Sequence, residues 1–202
     1  MLPMQITYEL DGNLYVNLTN LCSNHCSFCI RNNGDGVGSA DNLWLAREPS
    51  EDEVVRDILK HDLAQYRELV FCGYGEPLER LETLLAVCRQ VRAVSPVFIR
   101  INTNGQADLI NGRPTAPLLK GLVDGVSISL NAADAASYDR LCASEYGEKA
   151  YDALLRFTAD CVRLLPHVTL SVVDVIPPDE IEKCRAVARK LGADFRVRTL
   201  ID

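Results

Sequence analysis

The sequence predicts an α/β fold with parallel strands, arranged as a partial, incomplete TIM-type barrel of six βα units in a single domain over residues 1–202. Three observations predict it. β-branched runs alternate with amphipathic helical patterns from end to end. The strand-like runs alternate polar and apolar residues, where strands covered on both faces read as unbroken apolar runs. Each run also ends in a polar or reactive group, and active sites of parallel α/β folds lie at the C-terminal ends of the strands.

The elements follow in order. LYVNLTN (14–20) reads as the first strand and SEDEVVRDILKHDLAQY (50–66) as a helix, opened by Pro49 and a Ser50/Glu53 capping box. ELVFCG (68–73) is the second strand and LERLETLLAVCRQVRAV (78–94) its helix. VFIRINTN (97–104) is the third strand, with a short helix near PLLKGL (117–122). VSISLN (126–131) is the fourth, leading into ADAASYDRLC (133–142) and YDALLRFTADCVRLL (151–165). VTLSVVDV (168–175) is the fifth, followed by a helix over PPDEIEKCRAVARKLG (177–192), which opens on proline and ends on glycine. FRVRTL (195–200) is the sixth.

A side-chain period of two sets Tyr15, Asn17 and Thr19 on one face, with Arg100, Asn102 and Asn104, with Ser127, Ser129 and Asn131, and with Arg196 and Arg198 on theirs. If the apolar faces meet the helices, these polar faces line the inside. Such a lining suits a ligand cavity, and its arginines an anionic ligand; solvated ends of an open barrel are the plainer alternative. Arg100, Asp174, Arg196 and Arg198 are the candidate substrate contacts, unless they simply pair with one another.

Composition bounds the function. The chain is 48% hydrophobic and 24% charged with a formal charge of −7, and no basic stripe points to nucleic acid. MLPMQITYELDG shows neither a positive n-region nor an apolar h-region, and no apolar run approaches a membrane span, so a cytoplasmic protein is expected. Of eight cysteines, Cys72, Cys88, Cys142, Cys161 and Cys184 lie among apolar neighbours and read as small buried hydrophobes.

The other three stand in CSNHCSFCIRNNGDGVG (22–38). Structural zinc takes four ligands, and His25, directly beside Cys26, is poorly placed as a fourth. A cubane iron–sulfur cluster has four irons, of which Cys22, Cys26 and Cys29 can hold three. The fourth iron is then open, which serves a catalyst that binds its substrate at the metal. The tail, Arg31 to Gly38, is expected to be a mobile loop closing over the metal.

CxxxCxxC with Phe28 before the last cysteine, followed by GYGEP (73–77), resembles the paired motifs of the radical SAM enzymes. The usual second motif has two adjacent glycines before its glutamate; Tyr74 stands in place of the first, while Gly75, Glu76 and Pro77 match. The resemblance implies that Cys22, Cys26 and Cys29 ligate a [4Fe-4S] cluster and that S-adenosyl-L-methionine chelates the open iron. Reductive cleavage of that cofactor would then yield a 5′-deoxyadenosyl radical that abstracts hydrogen from a substrate. It implies that Gly75 and Glu76 hold the methionine amino group, that Phe28 packs beside adenine, and that Ser129, Asn131 and Asn104 contact the cofactor. Glycines at 73 and 75 would let backbone approach the ligand. A GxIxG-like motif is missing near the fifth strand, where VTLSVVDVIPP stands, so adenine contacts there stay unassigned.

Within that superfamily YELDGNLYVNLTN, LWLAREP, RINTNGQADLINGR and SLNA resemble the group called TatD-linked radical SAM proteins. This implies functional association with a TatD-type hydrolase, and the superfamily implies a reductant such as flavodoxin or ferredoxin. Three functions stay open: an enzyme acting on an anionic small molecule, an activating enzyme that makes a radical on a partner protein, and a non-catalytic iron–sulfur carrier or sensor.

Overall fold

The computed structural model describes residues 4–200, and its strands form one seven-stranded sheet in sequence order. β1 (Thr7–Leu10) and β2 (Asn13–Val16) are an antiparallel hairpin. β3 (Glu68–Phe71), β4 (Phe98–Thr103), β5 (Gly125–Ser129), β6 (His167–Val173) and β7 (Asp194–Arg198) then add in parallel. The sheet does not close, since β1 and β7 are its two ends.

β1 corrects the expectation of parallel strands alone. Asp11 and Gly12 have φ of 51° and 73°, the two positive values of a tight hairpin turn whose twist matches its strands. The Asp-Gly pair between two alternating runs was the signal for it. The helix expected over 50–66 is also shorter. α1 (Glu51–Ile58) starts at the anticipated Ser50/Glu53 capping box and stops at Leu59; Asp62 then caps a separate 3-10 turn, Leu63–Gln65, by accepting the Ala64 N–H at 3.1 Å. That turn buries Leu63, which a continued helix would not do with the same spacing.

The remaining helices are α2 (Leu81–Val94), α3 (Ala107–Asn111), α4 (Ala116–Leu119), α5 (Ala135–Cys142), α6 (Lys149–Leu164) and α7 (Pro178–Leu191). The alternation in the strands sorts as anticipated. Leu14, Val16, Leu69, Phe71, Ile99, Ile101, Val126, Ile128, Leu170 and Val172 are buried in the main core with the helices. Tyr15, Arg100, Asn102, Ser127, Ser129, Thr169 and Arg198 face the other way and keep partial exposure. No helix among the described residues is long and apolar enough to cross a membrane.

Candidate active site

The loop after β2 carries Cys22, Cys26 and Cys29, all free thiols and all half-buried. Its backbone is laid against three other parts of the chain. Leu21 O accepts the Glu76 N–H at 2.8 Å, Ser23 O accepts the Glu145 N–H at 2.9 Å, and the His25 and Ser27 N–H groups donate to Cys142 O and Leu141 O at 2.9 and 3.2 Å. The end of α5 thus supplies its otherwise unpaired carbonyls to the cysteine loop. Burial pushes the Cys22 thiol up to about 12, helped by the Glu76 charge, and raises Cys29 as well, while the Arg31 guanidinium works in the opposite direction on both. Among the described residues no three His, Cys, Asp or Glu side chains converge as on a single metal ion.

A buried polar network lies behind the loop. Asn104 Nδ2 donates to Ser23 Oγ at 2.9 Å, Ser23 Oγ to Gln106 Oε1 at 3.0 Å, and Gln106 Nε2 to Asn24 Oδ1 at 2.7 Å and to Tyr138 Oη at 3.0 Å. Asn24 Nδ2 also donates to Tyr138 Oη at 3.0 Å. All five residues are buried, so each bond stabilises against a full desolvation penalty. Sequence reasoning found Asn104 but missed Ser23, Asn24, Gln106 and Tyr138. Their partners lie 32 to 114 positions away, and no local pattern marks them.

GYGEP runs from the end of β3 into a 3-10 turn, Pro77–Arg80, which Glu76 caps by accepting the Leu78 N–H at 3.0 Å. Its carboxylate also accepts Thr103 Oγ1–H at 2.8 Å and the Asn104 N–H at 2.7 Å, tying this loop to the end of β4. Glu76 is buried, and burial pushes its carboxyl up to about 7 in spite of those bonds. The two glycines are also required by packing within the chain itself. A Cβ on Gly73 would lie 2.1 Å from Asn17 Oδ1, and one on Gly75 would lie 2.3 Å from Thr19 O and 2.6 Å from Leu21 O. Both positions are small because the chain that leads into Cys22 passes over them.

Tyr74, the departure from the usual motif, is buried among Tyr8, Ala40 and Leu43, with Trp44 edge-on at 5.0 Å, and its hydroxyl donates to Gly34 O at 2.6 Å. The tail expected to be a mobile lid is therefore docked on Tyr74 and on β1, where Ser39 N–H donates to Glu9 O at 3.0 Å and Glu9 N–H to Ser39 Oγ at 2.7 Å.

The other sequence-predicted residues divide. Phe28 packs against the main core. Asn131, at φ 56° after β5, donates from Nδ2 to Cys142 Sγ at 3.7 Å, and its buried Oδ1 has no partner. Arg198 reaches Ser129 Oγ at 3.4 Å, its buried Nε is likewise unpartnered, and burial lowers its pKa while the nearby Cys72 and Cys26 work in the opposite direction. Arg100 and Arg196 line a different region, a half-open cavity of about 360 Å³ at the N-terminal half of the polar face, with Tyr15, Glu68, Ser127 and Thr169. There Arg100 is paired with Glu68 at 2.7 Å. Asp174 is exposed and spent on the chain itself: its N–H donates to Arg198 O at 3.0 Å and its Oδ1 accepts the Leu200 N–H at 2.8 Å. The four are not one wall of one site, because Asp174 belongs to the end of β6 and turns to the strand edge.

Three thiols in a pre-shaped loop, with unpaired polar atoms of Asn131 and Arg198 at the neighbouring strand ends, fit a metal cluster bound together with a polar organic ligand. The class they define is an iron–sulfur protein on an open parallel α/β sheet. The chain belongs to the radical SAM superfamily, whose family model matches residues 16–191. A [4Fe-4S] cluster and S-adenosylmethionine are the cofactors that membership brings.

Among curated proteins, the chain is 33% identical over 132 residues to GTP 3′,8-cyclase of Rhodococcus opacus (strain B4), covering 63% of this chain and 34% of that protein. It is 44% identical over 55 residues to the 5-amino-6-(D-ribitylamino)uracil--L-tyrosine 4-hydroxyphenyl transferase of Nostoc sp. (strain PCC 7120 / SAG 25.82 / UTEX 2576), covering 25% and 13%. The chain thus spans about a third or less of the curated relatives it matches. In fold it is similar to Streptococcus suis SuiB bound to S-adenosylmethionine, with a TM-score of 0.66 at 15% identity over 93% of this chain and 38% of that one. It is also similar to the methyltransferase TsrM of Kitasatospora setae, solved with cobalamin and a [4Fe-4S] cluster, with a TM-score of 0.55 at 13% identity over 91% and 34%.

Proposed function

We propose that this chain is a radical SAM enzyme acting on an anionic small molecule. The observation that carries the reading is the three-thiol loop of Cys22, Cys26 and Cys29, seated at the strand ends beside the unpartnered Asn131 Oδ1 and Arg198 Nε. When bound, the cluster and S-adenosylmethionine supply a one-electron route to a radical able to take hydrogen from an unactivated carbon.

The protein's own residues supply orientation and exclusion. Cys22, Cys26 and Cys29 hold three irons. Glu76 has three of its roughly four lone-pair positions filled by Thr103, Leu78 and Asn104, which leaves one on Oε2 for an ammonium group of the cofactor. Gly75 presents backbone beside it, and Phe28 flanks the loop for adenine. Ser129, Asn131 and Asn104 give polar contacts at the strand ends. Arg198 has no carboxylate partner among the described residues, and Arg196 adds a second positive charge two positions back on the same strand; together they favour an anionic group.

The finer parts of the reading are an incomplete barrel of six βα units forming one radical SAM core domain, a cytoplasmic setting, a flavodoxin- or ferredoxin-type reductant, and association with a TatD-type hydrolase. The test is anaerobic reconstitution with iron and sulfide, reduction, and assay for 5′-deoxyadenosine. The expected result is product from wild type and none from Cys26→Ala, which should also lose its iron. A well-formed cluster that yields no 5′-deoxyadenosine sinks the enzyme reading and leaves an electron carrier.

A further inference from the structure

The polar face of the sheet carries a second concavity at the end away from the cysteines. Its half-open cavity of about 360 Å³ is walled by Asn13 and Glu68, the first residues of β2 and β3, and by Arg100, Ser127, Thr169 and Arg196 from β4 to β7. The cysteine loop instead follows the end of β2, so the two regions lie at opposite ends of the strands. Ligand pockets span roughly 300–1,000 Å³, and this cavity falls within that range.

The groups on its walls divide into those the fold uses and those it does not. Arg100 is fixed on Glu68, with Nε and Nη2 both on Oε2 at 2.8 and 2.7 Å, and it also donates to Asn102 Oδ1. Arg67 donates to the Asp11 carbonyl oxygen, a neutral acceptor that leaves its charge in place. Arg196 is exposed, and its side chain makes no hydrogen bond or ion pair among the described residues. The half-buried hydroxyls of Ser127 and Thr169 make no hydrogen bond among those residues either, and they stand side by side because the two are register partners on β5 and β6. Both Arg100 contacts fall on Glu68 Oε2, which leaves Oε1 uncommitted, and Asn13 Oδ1 is buried without a partner. Three guanidiniums therefore face two carboxylates, Asp11 and Glu68, in a chain whose formal charge is −7.

We propose that this cavity is a second ligand site, separate from the cysteine end, for a small hydroxylated molecule bearing one phosphate or carboxylate. Arg196 and the hydroxyls of Ser127 and Thr169 hold the anionic group, the guanidinium offering a planar fork that matches either headgroup. Glu68 Oε1 and Asn13, on the opposite wall, accept from the ligand's hydroxyls. Arg67 and Arg100 make the potential of the cavity positive. Arg196 lends its charge to the nearby Arg198, but its guanidinium walls this cavity. No residue of the site is a cysteine, so the inference does not depend on the radical SAM reading.

The test is calorimetric titration of the full chain, reconstituted anaerobically, with glycerol 3-phosphate and glycerate, and with the headgroups alone, inorganic phosphate and acetate. At least one of the two hydroxylated anions should bind at one site per chain and more tightly than its bare headgroup, and the tighter of the two identifies the headgroup. Arg196→Gln, whose side chain the fold does not use, should weaken that binding by about tenfold or more, and Arg198→Met by far less. Wild-type affinity in Arg196→Gln, an equal loss in Arg198→Met, or equal affinity for headgroup and whole molecule each overturns the proposal. So does a wild-type protein that binds neither hydroxylated anion.

Discussion

Glu76 Oε2 accepts the backbone N–H of Asn104 at 2.7 Å, so the carboxylate that closes the β3 loop also fixes the end of β4. Because burial raises its pKa from 4.5 to about 7, the folded protein holds that proton more tightly than the unfolded chain. This contribution to stability is complete below pH 4.5 and is lost as the pH rises through 7, by up to about 3 kcal/mol. Urea unfolding of the metal-free protein between pH 4.5 and 8 should show it as the difference between wild type and Glu76→Gln. Parallel curves for the two proteins would contradict it.

Gly75→Ala should damage the protein before any cofactor is added. The new methyl would press on the carbonyls of Thr19 and Leu21, which are backbone and cannot swing aside. We expect a loss on the order of 2–3 kcal/mol in the metal-free protein, with weaker iron uptake following from a displaced Cys22. A variant of wild-type stability that fails only to bind S-adenosylmethionine would restore the ligand-approach role to this glycine.

Tyr74 fastens the segment after the cysteines. Removing only its hydroxyl, in Tyr74→Phe, should lower stability by about 1 kcal/mol through the lost bond to Gly34 O. Tyr74→Gly, which restores the usual motif, should lose roughly 3–5 kcal/mol with the ring and open residues 31–38 to limited proteolysis. Equal cleavage rates in that segment for wild type and Tyr74→Gly would show that other contacts hold it.

Arg198 is half-buried with its Nε unpartnered, and among the described residues no carboxylate balances its charge. Arg198→Met should therefore raise the stability of the metal-free protein, by about 1–2 kcal/mol, while weakening the binding of whatever anion the site takes. A decrease in stability would mean that the guanidinium serves the fold alone.

Much of this arrangement was legible in the sequence. The period-two alternation sorted Arg100, Asn102 and Ser129 from Ile101 and Ile128, because one face of each strand meets helices and the other does not. The three-cysteine spacing could point to a metal site because its proposed ligands are local. What escaped was non-local. Tyr74 looked like a defect in a glycine motif, and only its contact with Gly34, 40 positions away, gives it a purpose. Tyr138 sits in an ordinary amphipathic helix, and its partners Asn24 and Gln106 lie 114 and 32 positions away. Glu76 was found, but its bonds to Thr103 and Asn104 were not, since its motif says nothing of β4. The hairpin at Asp11–Gly12 is a different case: its signal was local and was passed over.

The backbone of the cysteine loop is held by Cys142 O, Leu141 O, Ser23 O and Leu21 O, and none of those bonds involves a thiol. Small metal-organised domains acquire their shape from the ion, whereas these backbone bonds need none. The polypeptide can complete its tertiary structure first and receive iron and sulfide afterwards. Loss of the metal to oxygen should then leave a folded protein ready to be recharged, so that damage to the cofactor is repaired by reloading rather than by new synthesis.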